Sequence, residues 1–232
     1  MTEQIPMQIV AHIENDFTAK FGIPRQSGIV DALTSVIVLE PEYRNPDVYR
    51  GLEGYSHLWL LWQFSAAEQK GWSPTVRPPK LGGNTKIGVF ASRSPFRPNQ
   101  IGLSSVRLER IEWQSPDGPL LYVTGADLMN GTPILDIKPY LPYTDSHPDA
   151  LGGYAVTPKE HLLKVCCPDS LLNQLPEELH AGLFALLEQD PRPGYHGDPE
   201  RIYGITLGNF NIRFTVKETT LTVIEILQSG SK

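Results

Sequence analysis

The densest run of chemically capable residues in the chain is Gly88-Val89-Phe90-Ala91-Ser92-Arg93-Ser94-Pro95-Phe96-Arg97-Pro98-Asn99-Gln100-Ile101-Gly102-Leu103-Ser104. It reads as a strand entering a stiff cationic loop. Pro95 and Pro98 each fix a φ angle and bias Ser94 and Arg97 toward extended backbone. Arginines on such a loop lose little entropy when they pair with a carboxylate or phosphate, and their planar forks suit both groups. The plainer alternative ties Arg93 and Arg97 into salt bridges that serve the fold alone. Signals for other chemistries are missing. No G-x-G-x-x-G, Walker loop, H-E-x-x-H or G-x-S-x-G occurs. Rossmann-type nucleotide binding, metalloprotease and α/β-hydrolase chemistry therefore lack support. Leu81-Gly82-Gly83-Asn84 is a turn-like glycine pair. Cys166 and Cys167 are adjacent, too strained to bridge and too few for a structural metal site, so idle thiols and no metal are expected.

Charge is distributed unevenly. The net charge is −6, yet seven basic residues and no acid lie between Gln69 and Leu108. They are Lys70, Arg77, Lys80, Lys86, Arg93, Arg97 and Arg107. From Ile111 to Glu200 four basic residues face fourteen acidic ones. A basic island in an acidic protein is expected where one face meets a polyanion.

The elements that must position these residues follow from texture. Met7–Ile13, Ser35–Leu39, His57–Phe64, Lys86–Ala91, Gly102–Trp113 and Leu120–Ala126 are short, rich in β-branched and aromatic residues, and punctuated by Gly and Pro. They read as strands of a barrel or sandwich. Val106, Leu108 and Ile111 mark the dry side of a strand with one wet face. The stretch around Thr144–Thr157 reads as a linker. Pro176, placed at the first helical position, with Glu177 and Glu178 opens a helix whose stripe is Leu179, Leu183, Leu186 and Leu187. Phe210, Ile212, Phe214 and Val216, then Leu221, Val223 and Glu225, flank a turn at Glu218–Thr220 and form a hairpin. The fold class is thus mainly β with a smaller α+β part: an N-terminal barrel over residues 1–145 and a small C-terminal α+β domain over 146–232. With 232 residues a proper core is available without disulfides. The N-terminus lacks an apolar h-region, and the longest apolar run, Leu58–Trp62, is far below a membrane span, so a cytoplasmic location without membrane contact is expected.

The cationic segment closely resembles the hallmark of the TrmO (YaeB, TsaA-like) family. Further matching pieces are Pro24-Arg25-Gln26, Gly51-Leu52-Glu53-Gly54-Tyr55-Ser56-His57-Leu58-Trp59, Val76-Arg77-Pro78-Pro79, Asp127-Leu128-Met129-Asn130-Gly131-Thr132-Pro133 and Asp136-Ile137-Lys138-Pro139-Tyr140-Leu141-Pro142. In the tail, Asp190-Pro191-Arg192-Pro193 and Tyr195 also match. Gln100 departs from the pattern, which commonly has Pro there. The resemblance implies a non-Rossmann β-barrel methyltransferase, a homodimer, with S-adenosylmethionine bound at the barrel. It places the cofactor at Pro24, Arg25, Gln26, Phe64, Ser65, Arg93, Leu103, Asp127, Leu128, Met129 and Asn130. The implied reaction is methylation of the exocyclic N6 amine of threonylcarbamoyl-adenosine, 3′ to the anticodon (position 37) of threonine tRNA.

These residue types suit that chemistry. Arg25 or Arg93 can take the cofactor carboxylate by a bidentate pair, and Asp127 can accept from its ribose or amino group. Backbone groups of Leu128–Asn130 can read the adenine edge. The carbamoylated nitrogen is a poor nucleophile with a more acidic proton, so a general base helps, and Asp136 and Tyr195 are the candidates. His57, inside a Ser-His-Leu-Trp strand, reads more readily as a satisfied core group. Arg77, Lys80, Arg97 and Arg192 are candidate contacts to the tRNA anticodon loop, whose bases are already exposed for stacking and edge recognition. Two other readings are compatible with the sequence. One is a non-catalytic RNA- or nucleotide-binding barrel, which needs no cofactor; the other is a small-molecule methyltransferase, which needs neither the basic island nor the C-terminal domain.

Overall fold

A computed structural model describes residues 4–65, 71–155, 162–192, 198 and 200–229. Six strands close into an antiparallel barrel: β1 (Ala11–Glu14), β2 (Thr34–Leu39), β3 (His57–Gln63), β6 (Ile101–Glu112), β7 (Leu120–Thr124) and β8 (Pro133–Pro139). Their order around the barrel is β1-β2-β7-β6-β3-β8, and β1 pairs with β8 to close it. Closure leaves no unpaired edge among these strands. Alternation fills the interior. Ile13, Ile37, Leu58, Leu60, Val106, Leu121, Val123 and Ile134 are buried there, and burying each aliphatic side chain contributes roughly 1.5–3 kcal/mol. The skip from Leu108 to Ile111 is a bulge: the register of β6 against β7 shifts between Leu108 and Arg110, which returns Ile111 to the dry side.

Between β3 and β6 the described residues form a two-stranded ribbon, β4 (Thr75–Val76) and β5 (Ile87–Gly88), and two 3-10 turns. The strand expected over Lys86–Ala91 is therefore mostly absent, because Val89–Ala91 coils into a 3-10 turn. The described part of the expected linker, up to Ala155, begins with the end of α1 (Pro142–Asp145) and finishes with a 3-10 turn at Gly153–Ala155. Asp145 Oδ2 accepts from Trp59 Nε1 (2.8 Å) and Leu141 N (2.9 Å), which pins α1 to the outside of β3.

A second core follows. It is built on a four-stranded sheet ordered β10 (Tyr203–Leu207), β11 (Phe210–Lys217), β12 (Thr220–Gln228) and β9 (Lys164–Cys166), with β9 parallel to β12. α2 (Asp169–Leu172) precedes α3 (Glu177–Glu188), which buries Leu179, Leu183, Leu186 and Leu187 as its spacing requires. Pro176 is the N-cap of α3 and Glu177 its first residue. The hairpin differs from the simple alternation at one point. Its register shifts after Arg213, which leaves Ile224 exposed and puts Ile226, not Glu225, on the buried face.

The segment after β1 joins the two cores. Phe17, Val30 and Leu33 belong to the second core although they precede β2. Gly182 makes that approach possible: a Cβ there would lie 2.2 Å from Leu33 Cδ2. Gly208 N donates to Asp16 O (2.7 Å) and Thr18 Oγ1 to Gly208 O (3.0 Å). Residues 15–33 are therefore held on one side by the C-terminal core and present the other side to the barrel.

Candidate functional site

That second side is one wall of a cavity. Lys20, Ile23, Pro24, Arg25 and Gln26 face the end of β3, the start of β6 and the cationic loop across a space of about 690 Å³, within the range of roughly 300–1,000 Å³ for small-molecule sites. Trp62, Phe64, Phe90 and Leu103 supply apolar surface, and Arg93, Arg97 and Asp127 supply charge. A smaller space of about 390 Å³ adjoins it, lined by Gln63, Ser65, Pro95, Phe96, Met129 and Thr132. Lys20, Ile23, Trp62, Phe64 and Asp127 line both.

The deepest feature is a hydrogen-bond chain. Trp62 Nε1 donates to Ser104 Oγ (2.9 Å), and Ser104 Oγ donates to Asp127 Oδ1 (2.5 Å). Both Trp62 and Ser104 are inward residues near the cavity end of the barrel, and Ser104 is 1% exposed. Gly102 opposite makes room for the indole: a Cβ there would lie 2.2 Å from Trp62 Cε2. The indole then meets Phe64 at 4.3 Å between ring centroids, tilted by 60°, a favourable aromatic geometry. Burial pushes the Asp127 carboxyl above its ordinary range. The Ser104 hydroxyl, the N–H groups of Asp127 and Ser27 and the charge of Arg93 oppose that shift without cancelling it.

The cationic loop is stiffened from within. Arg97 Nη1 donates to Ser92 O (3.0 Å), Ser92 Oγ donates to Val89 O (2.7 Å), and Phe64 N anchors the loop's far end at Gln100 O (2.9 Å). Arg97 also stands 6.0 Å above the ring of Phe90, which is 76% exposed. Arg93 reaches across the cavity, where Nη1 donates to Gln26 Oε1 (2.5 Å). Among the described residues neither arginine is bonded to a carboxylate, and the partners they have there are Gln26 Oε1 and Ser92 O.

Of the residues implied for the cofactor, Pro24, Arg25, Gln26, Phe64, Arg93, Leu103 and Asp127 line the larger cavity, and Ser65 and Met129 the smaller. Leu128 and Asn130 line neither. Leu128 is in the barrel core, its carbonyl accepting from Asn15 Nδ2 (3.0 Å), and Asn130 Oδ1 accepts from Asn15 N (2.9 Å). They fix the turn that presents Asp127. Arg25 is shared: its Nη2 donates to the carbonyls of Asp190 (3.0 Å) and Arg192 (2.8 Å).

The other candidates lie apart. Asp136 projects from β8 next to the inward Ile137 and pairs with Lys138 Nζ (2.8 Å); it lines neither cavity. Tyr195 lies outside the described residues. His57 is exposed at the start of β3, 2.9 Å from Ser56 Oγ, and is not a core group. Arg77 is exposed beside the ribbon, and Lys80 sits in the 3-10 turn Pro79–Leu81. Arg192 is committed to Asp190 by two 2.8 Å bonds. Its charge and hydrogen bonds hold the Asp190 carboxyl below its ordinary range, against the opposing effect of burial. No group of three or more metal-ligating side chains occurs among the described residues, and no described helix is long and apolar enough to cross a membrane.

Trp62 and Lys20 enter the site without a sequence signal for it, and Phe90, Phe96 and Ser104 join it from the cationic segment without an individual role having been assigned to them. Inward parity with Leu58 and Leu60, or with Val106, signals that Trp62 and Ser104 point into the barrel. Nothing in their spacing signals that the barrel end is open there.

Comparison with known proteins assigns both parts of the chain to a family. Residues 12–146 match the tRNA-methyltransferase O N-terminal domain, and residues 160–229 match the TrmO C-terminal domain. A tRNA (adenine(37)-N6)-methyltransferase of Escherichia coli (strain K12) is 39% identical over 222 residues, 92% of this chain and 94% of that protein. One from Eikenella corrodens is 42% identical over 175 residues, 75% of this chain and 98% of that protein. A crystal structure of TrmO from P. aeruginosa superposes with a TM-score of 0.80 at 31% identity, covering 99% of both chains. With both parts matched in order and the barrel in common, the chain belongs to the tRNA-methyltransferase O family.

Proposed function

We propose that this protein transfers a methyl group from S-adenosylmethionine to the exocyclic N6 amine of the adenosine at position 37 of tRNA, with threonylcarbamoyl-adenosine in threonine tRNA as its acceptor. One observation carries the reading. Pro24–Gln26, Phe64, Arg93, Leu103 and Asp127 come from four separate stretches of chain, and the fold gathers all of them around one cavity.

The cavity suits the cofactor's parts. Trp62, Phe64 and Leu103 offer surface for an adenine, while Arg93 and Arg25 offer forks for a carboxylate. When bound, S-adenosylmethionine supplies an electrophilic methyl on a sulfonium. The smaller adjoining space, walled by Ile23, Phe64, Phe96 and Met129, then receives the acceptor base. Residues common to both spaces stand where donor and acceptor meet, and holding them in line supplies much of the rate. The loop cations and Arg77 meet the RNA backbone. Residues 1–145 serve as the cofactor-binding domain. Residues 146–232 brace the wall 15–33 and help to grip the anticodon loop. The protein acts in the cytoplasm, as a homodimer and without a metal.

The test is incubation with labelled S-adenosylmethionine and tRNA, with and without the threonylcarbamoyl group, followed by digestion to nucleosides. Label in N6-methylated threonylcarbamoyl-adenosine is expected. Cofactor binding without label in that nucleoside would assign another acceptor, and no cofactor binding would leave an RNA-binding barrel.

A further inference from the structure

Asp127 is the sole acid among the described residues that line the two cavities, and no His, Tyr or Cys accompanies it. It faces four cations there: Lys20, Arg25, Arg93 and Arg97. We propose that Asp127 is the proton acceptor of the methyl-transfer step and that Ser104 and Trp62 are positioning residues that keep its carboxylate aimed at the acceptor nitrogen. The proposal rests on the methyltransferase reading above.

The direction of the hydrogen-bond chain is forced. An indole N–H can only donate, so Ser104 Oγ accepts from Trp62 and must spend its single proton on Asp127 Oδ1. The chain therefore ends in an acceptor at Asp127. It cannot relay a proton onward, because the indole has no lone pair to receive one. A proton taken by Asp127 returns to solvent through the cavity. The indole lies over Gly102 and meets the ring of Phe64, so its orientation is built into the barrel wall.

The location fits the demand. Asp127 borders both the space assigned to the donor and that assigned to the acceptor base. A partly buried carboxyl with a raised affinity for protons is a better base than a free one. In the balanced step the N6–H proton passes to Asp127 as the nitrogen pair forms the N–C bond. The carbon–sulfur pair stays on sulfur, which becomes a neutral thioether. Asp136 is unsuited to this task, since it points away from the cavity and is paired with Lys138.

Asp127→Asn, Asp127→Glu and Ser104→Ala test the proposal, with S-adenosylhomocysteine affinity by calorimetry beside single-turnover rates across pH. Asp127→Asn is expected to slow transfer by about 10²–10⁴-fold, the span of general-base catalysis, with cofactor held saturating against the variant's own calorimetric S-adenosylhomocysteine Kd, so that any loss of affinity from removing a carboxylate of the cofactor cavity is separated from the loss of rate. Asp127→Glu should restore part of the rate. Removing the Ser104 donor raises the proton affinity of the carboxylate, so the acid limb of the Ser104→Ala rate profile should move to higher pH. The proposal is overturned if Asp127→Asn turns over like the wild type, or if its affinity collapses while its saturated rate persists. An unmoved acid limb in Ser104→Ala also overturns it. A wild-type protein that methylates no tRNA would sink the methyltransferase reading instead, so the two failures are distinct.

Discussion

Replacing Gly102 by alanine should displace Trp62 and damage both stability and the cavity. The new Cβ would lie 2.2, 2.4 and 2.6 Å from Cε2, Cζ2 and Cδ2 of the indole. Carbon atoms settle at about 3.5–4.0 Å, so the ring must retreat by more than about 1 Å. That retreat carries Nε1 out of reach of Ser104 Oγ, now 2.9 Å away. Overpacking costs about 1–3 kcal/mol, and a buried N–H left unpaired costs about 1–3 kcal/mol. The sum, about 2–6 kcal/mol, corresponds to a Tm fall of about 4–24 °C at the roughly 2–4 °C per kcal/mol of a chain this size. Calorimetric unfolding measures the loss, and near-UV circular dichroism follows the Trp62–Phe64 pair. S-adenosylhomocysteine affinity should drop by about tenfold or more, equivalent to 1.4 kcal/mol, as the ring enters the cavity. Gly54→Ala is the control, since a Cβ there meets nothing within 4 Å. A Gly102→Ala protein with wild-type Tm and an unchanged aromatic spectrum would refute the packing argument.

The remaining predictions concern charge. Arg192→Ala should lower stability by about 1–3 kcal/mol, because it removes charged hydrogen bonds to a partly buried Asp190; thermal unfolding checks it. The Asp190 carboxyl is depressed in the folded state, so its stabilisation is present above the unfolded value near pH 4 and is lost as pH falls through the folded value. Asp190→Asn should flatten the wild-type loss of stability in that acid window. Asp127 has the opposite sign: its folded value is raised, so ionising it costs stability as pH rises through that value. Asp127→Asn should therefore be no less stable than the wild type at pH 7.5 by calorimetry. Arg77→Ala should weaken tRNA binding and reduce the slope of log K against log salt by about 0.7–1, one phosphate contact; filter binding across a salt series measures it.

Much of the barrel was legible because its strands are short, β-branched and bounded by Gly and Pro, and because Leu58, Leu60, Val106, Leu121 and Val123 keep a period of two. The α3 stripe was legible for the same kind of reason. What escaped was whatever depends on two distant segments. Val89–Ala91 carries strand-like residues but turns, since its loop bonds Ser92 to Val89. The bulge that exposes Ile224 cannot be read from the β12 segment alone, because it depends on pairing with β11. Residues 15–33 lack strong periodicity, yet Phe17 and Leu33 pack in the C-terminal core and so decide where Arg25 and Gln26 stand. Asp136 looked like a base on motif grounds; its parity beside the inward Ile137 turns it outward. Asp127 was legible as a polar site residue, but its link through Ser104 to Trp62 spans three chain segments, the ends of two strands and a turn.

The central claim is that the cavity between residues 20–26, the barrel end and the cationic loop is where cofactor and acceptor meet. A crystal structure with S-adenosylhomocysteine tests it most directly. The account predicts the product in the larger cavity, against Phe64, Arg93 and Leu103, with its sulfur turned toward Asp127 and the smaller space. Product bound elsewhere on the protein, with that cavity left empty at saturating ligand, would contradict it.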